Sequence, residues 1–259
     1  MLAHRINRAA AMPETAELAA LLLQARQTGH RLAASAKSGP NTVAQAYAVQ
    51  RAVWLGLSRA TRPSVWKLGA PDKQSEPSVA PVLSGWAASS PANFAAEDFG
   101  GLGIEAEIAL RFGRDLPARA GYYRRDEILD AIASVHVAME LVDTRLADPE
   151  AAGPLWRLAD NLLNGALVIG EPIANWRELD YPGLSVRALA DGHCLAETLG
   201  RPPLDDLFYC LPWWLAHNGG AQAGDIVTTG AWNGMHPVVI PAEVRVEFVG
   251  LGIASACIG

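Results

Sequence analysis

The sequence predicts an α+β protein with an N-terminal helical segment, and three observations predict it. Apolar residues recur at helical spacing early in the chain, at Leu18, Leu21, Leu22 and Ala25. From Val65 onward the pattern changes to short alternating segments punctuated by Gly and Pro, which is the signature of strands. No internal repeat, heptad or low-complexity tract interrupts this order, so the chain reads as one domain over 1–259, with a helical flank to about residue 60 and a β-rich body from about 61.

In chain order, the first helix is expected over 14–28, ended by Gly29. The second spans 42–58 and opens on Thr42-Val-Ala-Gln45, which matches a capping box. Strands are expected at 104–110, 135–142, 166–169, 226–229 and 244–248. One more helix, near 125–134, carries Asp126 and Glu127 in its first turn, where they favour the positive end of the helix dipole, and it feeds directly into the strand at Val135. The segment PEAAGPLWRLADN, cut by Pro and Gly, reads as a long surface loop.

Composition excludes several classes. Half of the 259 residues are apolar, yet the longest runs, AELAALLL and GALVIG, stop well short of the roughly 18 residues that span a bilayer. No membrane partner is expected. The N-terminus superficially suggests a targeting signal, but Glu14 and Glu17 lie inside it and the leucine spacing favours a packed amphipathic helix. Two starts fit, Met1 and Met12, the second leaving residues 1–11 as a disordered extension. The net charge is −6 with dispersed basic residues, which argues against nucleic acid. Cys194, Cys210 and Cys257 share no metal or disulfide spacing, so a reducing cytoplasm fits.

Two strands carry acids in a notable pattern. In Gly103-Ile-Glu-Ala-Glu-Ile-Ala-Leu110, Glu105 and Glu107 share one face, with same-face Cα atoms roughly 6.5–7 Å apart, close enough for both side chains to reach one cation. An ordinary half-buried strand with two solvated glutamates is the competing reading. In Val135-His-Val-Ala-Met-Glu-Leu-Val142, Glu140 is the single acid of an apolar strand and needs a partner or a metal. A salt bridge to Arg145 is the plain alternative. Three carboxylates without a His or Cys cluster suit Mg²⁺ or Mn²⁺ and disfavour zinc. His136 and His193 read as core or supporting residues without an assigned role.

The order of segments resembles the 2-oxopent-4-enoate hydratase and 4-oxalocrotonate decarboxylase group of the fumarylacetoacetate hydrolase superfamily. The matching pieces are AYAVQ at 46–50, VWKLG at 65–69, GIEAEIAL at 103–110, AMELVDTR at 138–145, ADNLLNGALVIG at 159–170, AGDIVTTG at 223–230 and VRVEFVGLG at 244–252, nearly the length of the chain. The resemblance implies a mixed β-roll or sandwich around a metal site. It assigns Glu105, Glu107 and Glu140 as ligands of Mg²⁺ or Mn²⁺, with Asp143 as competitor for the third place. It makes Lys67 the active-site lysine, Asp160 a polar residue lining the pocket, and Arg145 a structural or substrate-adjacent cation.

What the resemblance implies chemically is a lyase that adds water to a 2-hydroxy-2,4-dienoate to give a 4-hydroxy-2-oxo acid in aromatic catabolism. A decarboxylase of a 4-oxalocrotonate-type dicarboxylate, or a C–C bond hydrolase on the same scaffold, is the alternative. A catalytically silent partner subunit is a further one. Partners are then a small 2-oxo acid or dienol, further copies of the chain, and a possible partner enzyme of the same pathway. Lys67 is expected to have its pKa lowered by a nearby cation and burial. Two departures stand out: APDKQSEPSVAPVLSG replaces a Gly-rich stretch after the lysine, and Leu162, Leu163 and Asn164 replace small hydroxyl residues after Asp160-Asn161. If the leucines wall the pocket, a neutral or apolar substrate tail is favoured over a second carboxylate.

Overall fold

A computed structural model describes residues 13–35, 38–83 and 85–259. The second possible start and the extension before it, residues 1–12, lie outside the described residues.

Helices α1 (Pro13–Thr28) and α2 (Val43–Leu57) form the flank. Leu18, Leu22 and Ala25 are buried as the spacing predicts, but Leu21 is 40% exposed, at the edge of the stripe. Gly29 ends α1 with φ +70°, a conformation glycine adopts without strain. At α2 the Thr42 hydroxyl accepts from Gln45 N, while the Gln45 side chain accepts from Asn41 N rather than from Thr42, so the box closes one residue early.

The body begins with β1 (Val65–Gly69), β2 (Ser78–Pro81), β3 (Ala87–Ser89), β4 (Ala92–Phe94), β5 (Leu102–Phe112) and β6 (Leu116–Pro117). Next come α3 (Arg125–Ala131), β7 (Ile132–Val142), α4 (Pro149–Ala152), α5 (Pro154–Ala159), β8 (Asn164–Pro172), β9 (Ser185–Ala190) and β10 (His193–Leu199). The chain closes with α6 (Leu211–Asn218), β11 (Gly220–Ala221), β12 (Ile226–Thr228), β13 (Met235–Val238), β14 (Ala242–Phe248) and β15 (Gly252–Ile258). Helix α3 is shorter than its pattern suggests, because the β-branched Ile132 already belongs to the strand.

The larger sheet runs β2-β1-β12-β5-β7-β8-β3, with β13 also on β5, and the second runs β10-β9-β14-β15-β4. Ile104, Ala106, Ile108 and Leu110 of β5 and Val135, Val137, Met139 and Leu141 of β7 are buried in one core with Val244, Val246 and Phe248 of β14. The opposite face of β5 and β7 carries the acids. The structure thus confirms a mixed α+β architecture with curled sheets and N-terminal helices.

The segment expected as a surface loop is instead α4 and α5, and Trp156 within it is 1% exposed. Asp148 caps α4 by accepting from Glu150 N and Ala151 N, and proline stands in the first turn of both helices, where a missing N–H costs nothing. Proline and glycine therefore mark helix starts here, not a loop. Trp156 and Leu158 pack with Leu18, Leu22, Val49 and Val53 in a second core that joins flank and body. Among the described residues, no helix is long and apolar enough to cross a membrane.

Candidate metal centre

Strand β5 pairs antiparallel with β7 so that Glu105 lies directly opposite Glu140 and Glu107 opposite Ala138. One oxygen from each of Glu105, Glu107 and Glu140 lies within 4.8 Å of the others. Glu107 and Glu140 are buried, and Glu105 keeps 17% of its side chain exposed, so the cluster opens on the Glu105 side. The reading of β5 as a strand with two solvated glutamates does not hold: Glu107 is fully buried and Glu105 keeps only a sixth of its side chain exposed.

The other edge of β5 is split. Strand β12 pairs with Ala109–Arg111 and β13 with Leu102–Glu105. The residues between them, 229–234, cover the gap at Glu107. Gly230 N donates to Glu107 Oε2 at 3.1 Å, Trp232 N donates to the Ala106 carbonyl, and the Thr229 hydroxyl donates to the Ile108 carbonyl. The sequence carries no signal for this loop, because its contribution is a backbone N–H.

Lys67 sits on β1 and reaches across the sheet. Its Nζ donates to Glu140 Oε1 at 2.8 Å and to the Leu162 carbonyl at 3.1 Å, and lies 3.8 Å from Glu105 Oε2. Asn164 Nδ2 also donates to Glu140 Oε1, at 3.0 Å. Leu162 lies in a run, Asn161, Leu162 and Leu163, with φ of 53°, 53° and 62°. Left-handed backbone costs a non-glycine residue about 1–2 kcal/mol. The bonds from Asn161 Nδ2 to the Pro81 carbonyl, and from Lys67 to Leu162, hold this strained turn against the site.

Burial and then the neighbouring Glu140 push the Glu105 carboxyl up to about 7, with Lys67 opposing. Burial and Glu140 likewise hold Glu107 well above the usual carboxylate range. Burial works to lower Lys67, but without a bound cation Glu140, Glu105 and Glu107 overcome it and raise the pKa, because three facing carboxylates stabilise the ammonium. One ammonium faces three carboxylates. Glu107 Oε1 and Glu140 Oε2 are buried without a hydrogen-bond partner. Clustered oxygen donors, two of them unpaired, and this excess of acid fit a hard divalent cation.

The remaining site candidates separate from the triad. Glu140 pairs with Lys67 and not with Arg145, whose Nε meets Asp160 Oδ1 at 2.5 Å. Asp160 also accepts from the Thr144 hydroxyl and Arg145 N, so its carboxylate is fully engaged in fixing the end of β7 and touches no triad residue. Asp143 pairs with Arg31 at 3.3 Å and lies outside the triad. His136 is a core residue bonded to Ser134 and the Gly170 carbonyl, and His193 is exposed on the edge strand β10. The side chains of Leu162 and Leu163 are half-buried and pack on the flank core, so the segment offers the site a carbonyl and the Asn164 amide; the expected leucine wall is corrected.

A cavity of about 710 Å³ lies behind β1, lined by Tyr47, Gln50, Trp54, Trp66 and His217 among others. Neither Lys67 nor any acid of the triad lines it. Lys67 and Trp66 point to opposite faces of β1, and the carboxylate chemistry is on the Lys67 face.

Fold and site together define a class: mixed α+β proteins whose curled sheet brings three carboxylates and a lysine to one place. The chain belongs to the fumarylacetoacetate (FAA) hydrolase family, matching its C-terminal region over residues 73–258. It is 29% identical over 157 residues to a 2-keto-4-pentenoate hydratase of Paraburkholderia phymatum and 28% identical to one of Burkholderia vietnamiensis. Each match spans 59% of this chain and 59% of the relative's length. The structure superposes on 4-oxalocrotonate decarboxylase from Pseudomonas putida G7, complexed with magnesium and adipate, with a TM-score of 0.79 and 22% identity, covering 95% of this chain and 97% of that one. A second structure of that decarboxylase, with calcium and acetate, gives 0.78 at 23% identity with the same coverage. These likenesses establish the fold.

Proposed function

We propose that this chain is a cytoplasmic, divalent-metal-dependent enzyme acting on a small 2-oxo acid or its dienol, with hydration of a 2-hydroxy-2,4-dienoate as its reaction. The observation that carries the reading is the meeting of Glu105, Glu107 and Glu140 within 4.8 Å beside Lys67. The names of the two hydratase relatives support hydration over other reactions of the scaffold.

In this reading Glu105, Glu107 and Glu140 hold Mg²⁺ or Mn²⁺. The ion supplies Lewis acidity that stabilises the enolate character developing on the substrate. Everything else is work for the chain. Glu107, fixed by Gly230 N, and Glu140, fixed by Lys67 and Asn164, hold their carboxylates in place before substrate arrives. Lys67 keeps a proton at Nζ, next to the open Glu105 side, where it can be given to the substrate or orient it. Asp160 acts as a positioning residue through Arg145. Flank and body work as one domain, since Gln50 of α2 donates to the Val79 and Leu158 carbonyls. Assembly into a homo-oligomer belongs to the same reading, and sedimentation velocity tests it.

A decarboxylase of a 2-oxo dicarboxylate is the second reading, favoured by the loss of the leucine wall that argued against a charged tail. Incubating the protein and Mg²⁺ with 2-hydroxypenta-2,4-dienoate, and separately with the oxalocrotonate-type dicarboxylate, decides between them. Formation of a 4-hydroxy-2-oxo acid is the expected result; CO₂ release from the dicarboxylate alone establishes the second reading, and no turnover of either overturns both.

A further inference from the structure

We infer that Thr228 is a positioning residue of the metal site: its hydroxyl donates to the Glu107 carboxylate when that carboxylate holds a cation, and keeps it turned towards the ion. The inference rests on the metal-site reading above and adds to it a supporting residue that carries no charge.

The faces of β12 alternate. Val227 packs in the main core with Trp66 and Leu68, whereas Ile226 packs with Ala109 and Ala138 in a smaller core on the triad side of the sheet. Thr228, two residues beyond Ile226, faces the triad side as well. It stands opposite Ala109 of β5, and Glu107 is the next residue of β5 on that face. Diagonal neighbours of this kind, across an antiparallel pair, lie within reach of a long side chain. The two residues that follow are tied to the same stretch of β5, since the Thr229 hydroxyl donates to the Ile108 carbonyl and Gly230 N to Glu107 Oε2. Residues 228–230 are thus wrapped around Glu107.

Two buried atoms are left over here. Thr228 is 1% exposed, and its Oγ1 has no hydrogen-bond partner among the described residues. Glu107 is fully buried, and its Oε1, the oxygen that Gly230 does not hold, has none either. A hydroxyl buried without a partner is costly, and a valine of the same shape would avoid that cost. The side chains beside the hydroxyl narrow the choice of acceptor. Ile226 and Ala109 are apolar. Lys67 comes alongside Thr228, because β1 runs parallel to β12 with Val65 beside Ile226 and Trp66 beside Val227, but an ammonium has no lone pair to offer. Glu107 is the acceptor that remains. Burial and Glu140 disfavour its charged form, and the Thr228 hydroxyl works against them. A cation needs that charged form, and a carboxylate oxygen has two lone pairs, so Oε1 can accept from the hydroxyl and still face the ion.

The test measures Mg²⁺ binding by calorimetry, and melting temperature in chelator, on the full chain and on Thr228→Ser, Thr228→Val and Thr228→Ala. Serine keeps the hydroxyl and loses a buried methyl group, whereas valine keeps the shape and loses the hydroxyl. Thr228→Ser should bind Mg²⁺ as the wild type does. Thr228→Val and Thr228→Ala should bind roughly 10- to 100-fold more weakly, the usual cost of removing a group that holds a metal ligand in place. In chelator the order reverses: Thr228→Val should melt no lower than the wild type, because a buried unpaired hydroxyl is gone, and Thr228→Ser should melt lower for its lost methyl group. The order of affinities decides. Wild-type affinity in Thr228→Val, or binding by Thr228→Ser as weak as that of Thr228→Val, makes the residue a space-filler and overturns the inference while the metal site stands. Absence of Mg²⁺ binding by the wild type overturns the metal-site reading and the inference with it.

Discussion

Glu105 and Glu140 stand directly opposite each other across β5 and β7, two acids at a position where like charges repel most. Apolar partners would favour this pair of strands, so the arrangement is held by something outside sheet energetics. Lys67 supplies part of the compensation at 2.8 Å from Glu140. The rest follows from the unpaired oxygens of Glu107 and Glu140.

Mg²⁺ or Mn²⁺ should therefore raise the melting temperature, since a ligand at a hundred times its Kd stabilises the native state by about 2.7 kcal/mol. Glu105→Ala, Glu107→Ala and Glu140→Ala should each abolish tight binding with the fold retained. Titration calorimetry reads this, and unchanged affinity in all three variants sinks the site.

In metal-free protein, stability should fall as pH rises. Glu105 goes from an ordinary value of 4.5 to about 7 in the folded chain, and Glu107 is raised as well. Between those values the folded state binds more protons than the unfolded one, so the stabilisation is complete below the ordinary value and is lost as pH climbs through the folded one. Melting temperatures in chelator across pH 4.5–8 should decline, and saturating Mg²⁺ should flatten the decline. A flat profile in chelator would show that the acids do not repel as described.

Lys67→Met should lower turnover by roughly 10²- to 10⁴-fold, the usual loss when a general acid or base is removed, and leave metal affinity largely intact. Steady-state kinetics paired with metal titration separates this from a structural lysine, for which turnover would stay near normal.

Asp160→Ala should cost about 3–5 kcal/mol of stability, because it leaves the Arg145 guanidinium buried without its partner. Denaturant unfolding measures it. A loss under about 1 kcal/mol would return Asp160 to a role at the pocket rather than in the frame.

Gly39→Ala should destabilise by about 1–3 kcal/mol through overpacking, since its Cβ would lie 2.0 Å from the buried Trp156 ring. Thermal unfolding checks this, and a neutral effect would mean that the α5 core yields where its burial says it is tight.

Much of this was legible in the residues. The helices of the flank and the alternation of β5 and β7, which sets Glu105 and Glu107 on one face, follow from side-chain periodicity, because burial of one face imposes a period of two on a strand and 3.6 on a helix. The resemblance added Lys67 and the grouping of Glu105, Glu107 and Glu140 as ligands. Tertiary structure decided the rest. Pairing register, which no local pattern states, set Glu140 opposite Glu105 and left Asp143 to Arg31. Proline and glycine in 148–160 looked like loop punctuation, yet packing on Leu22 and Val53 made helices of them. Without a bound cation the Lys67 pKa is raised, because three acids from other strands face it. Gly230 N, the left-handed turn at Leu162 and the placement of Arg31 are backbone and long-range facts. The sequence alone determined which residues carry charge; only the fold, by choosing their neighbours, determined what that charge can do.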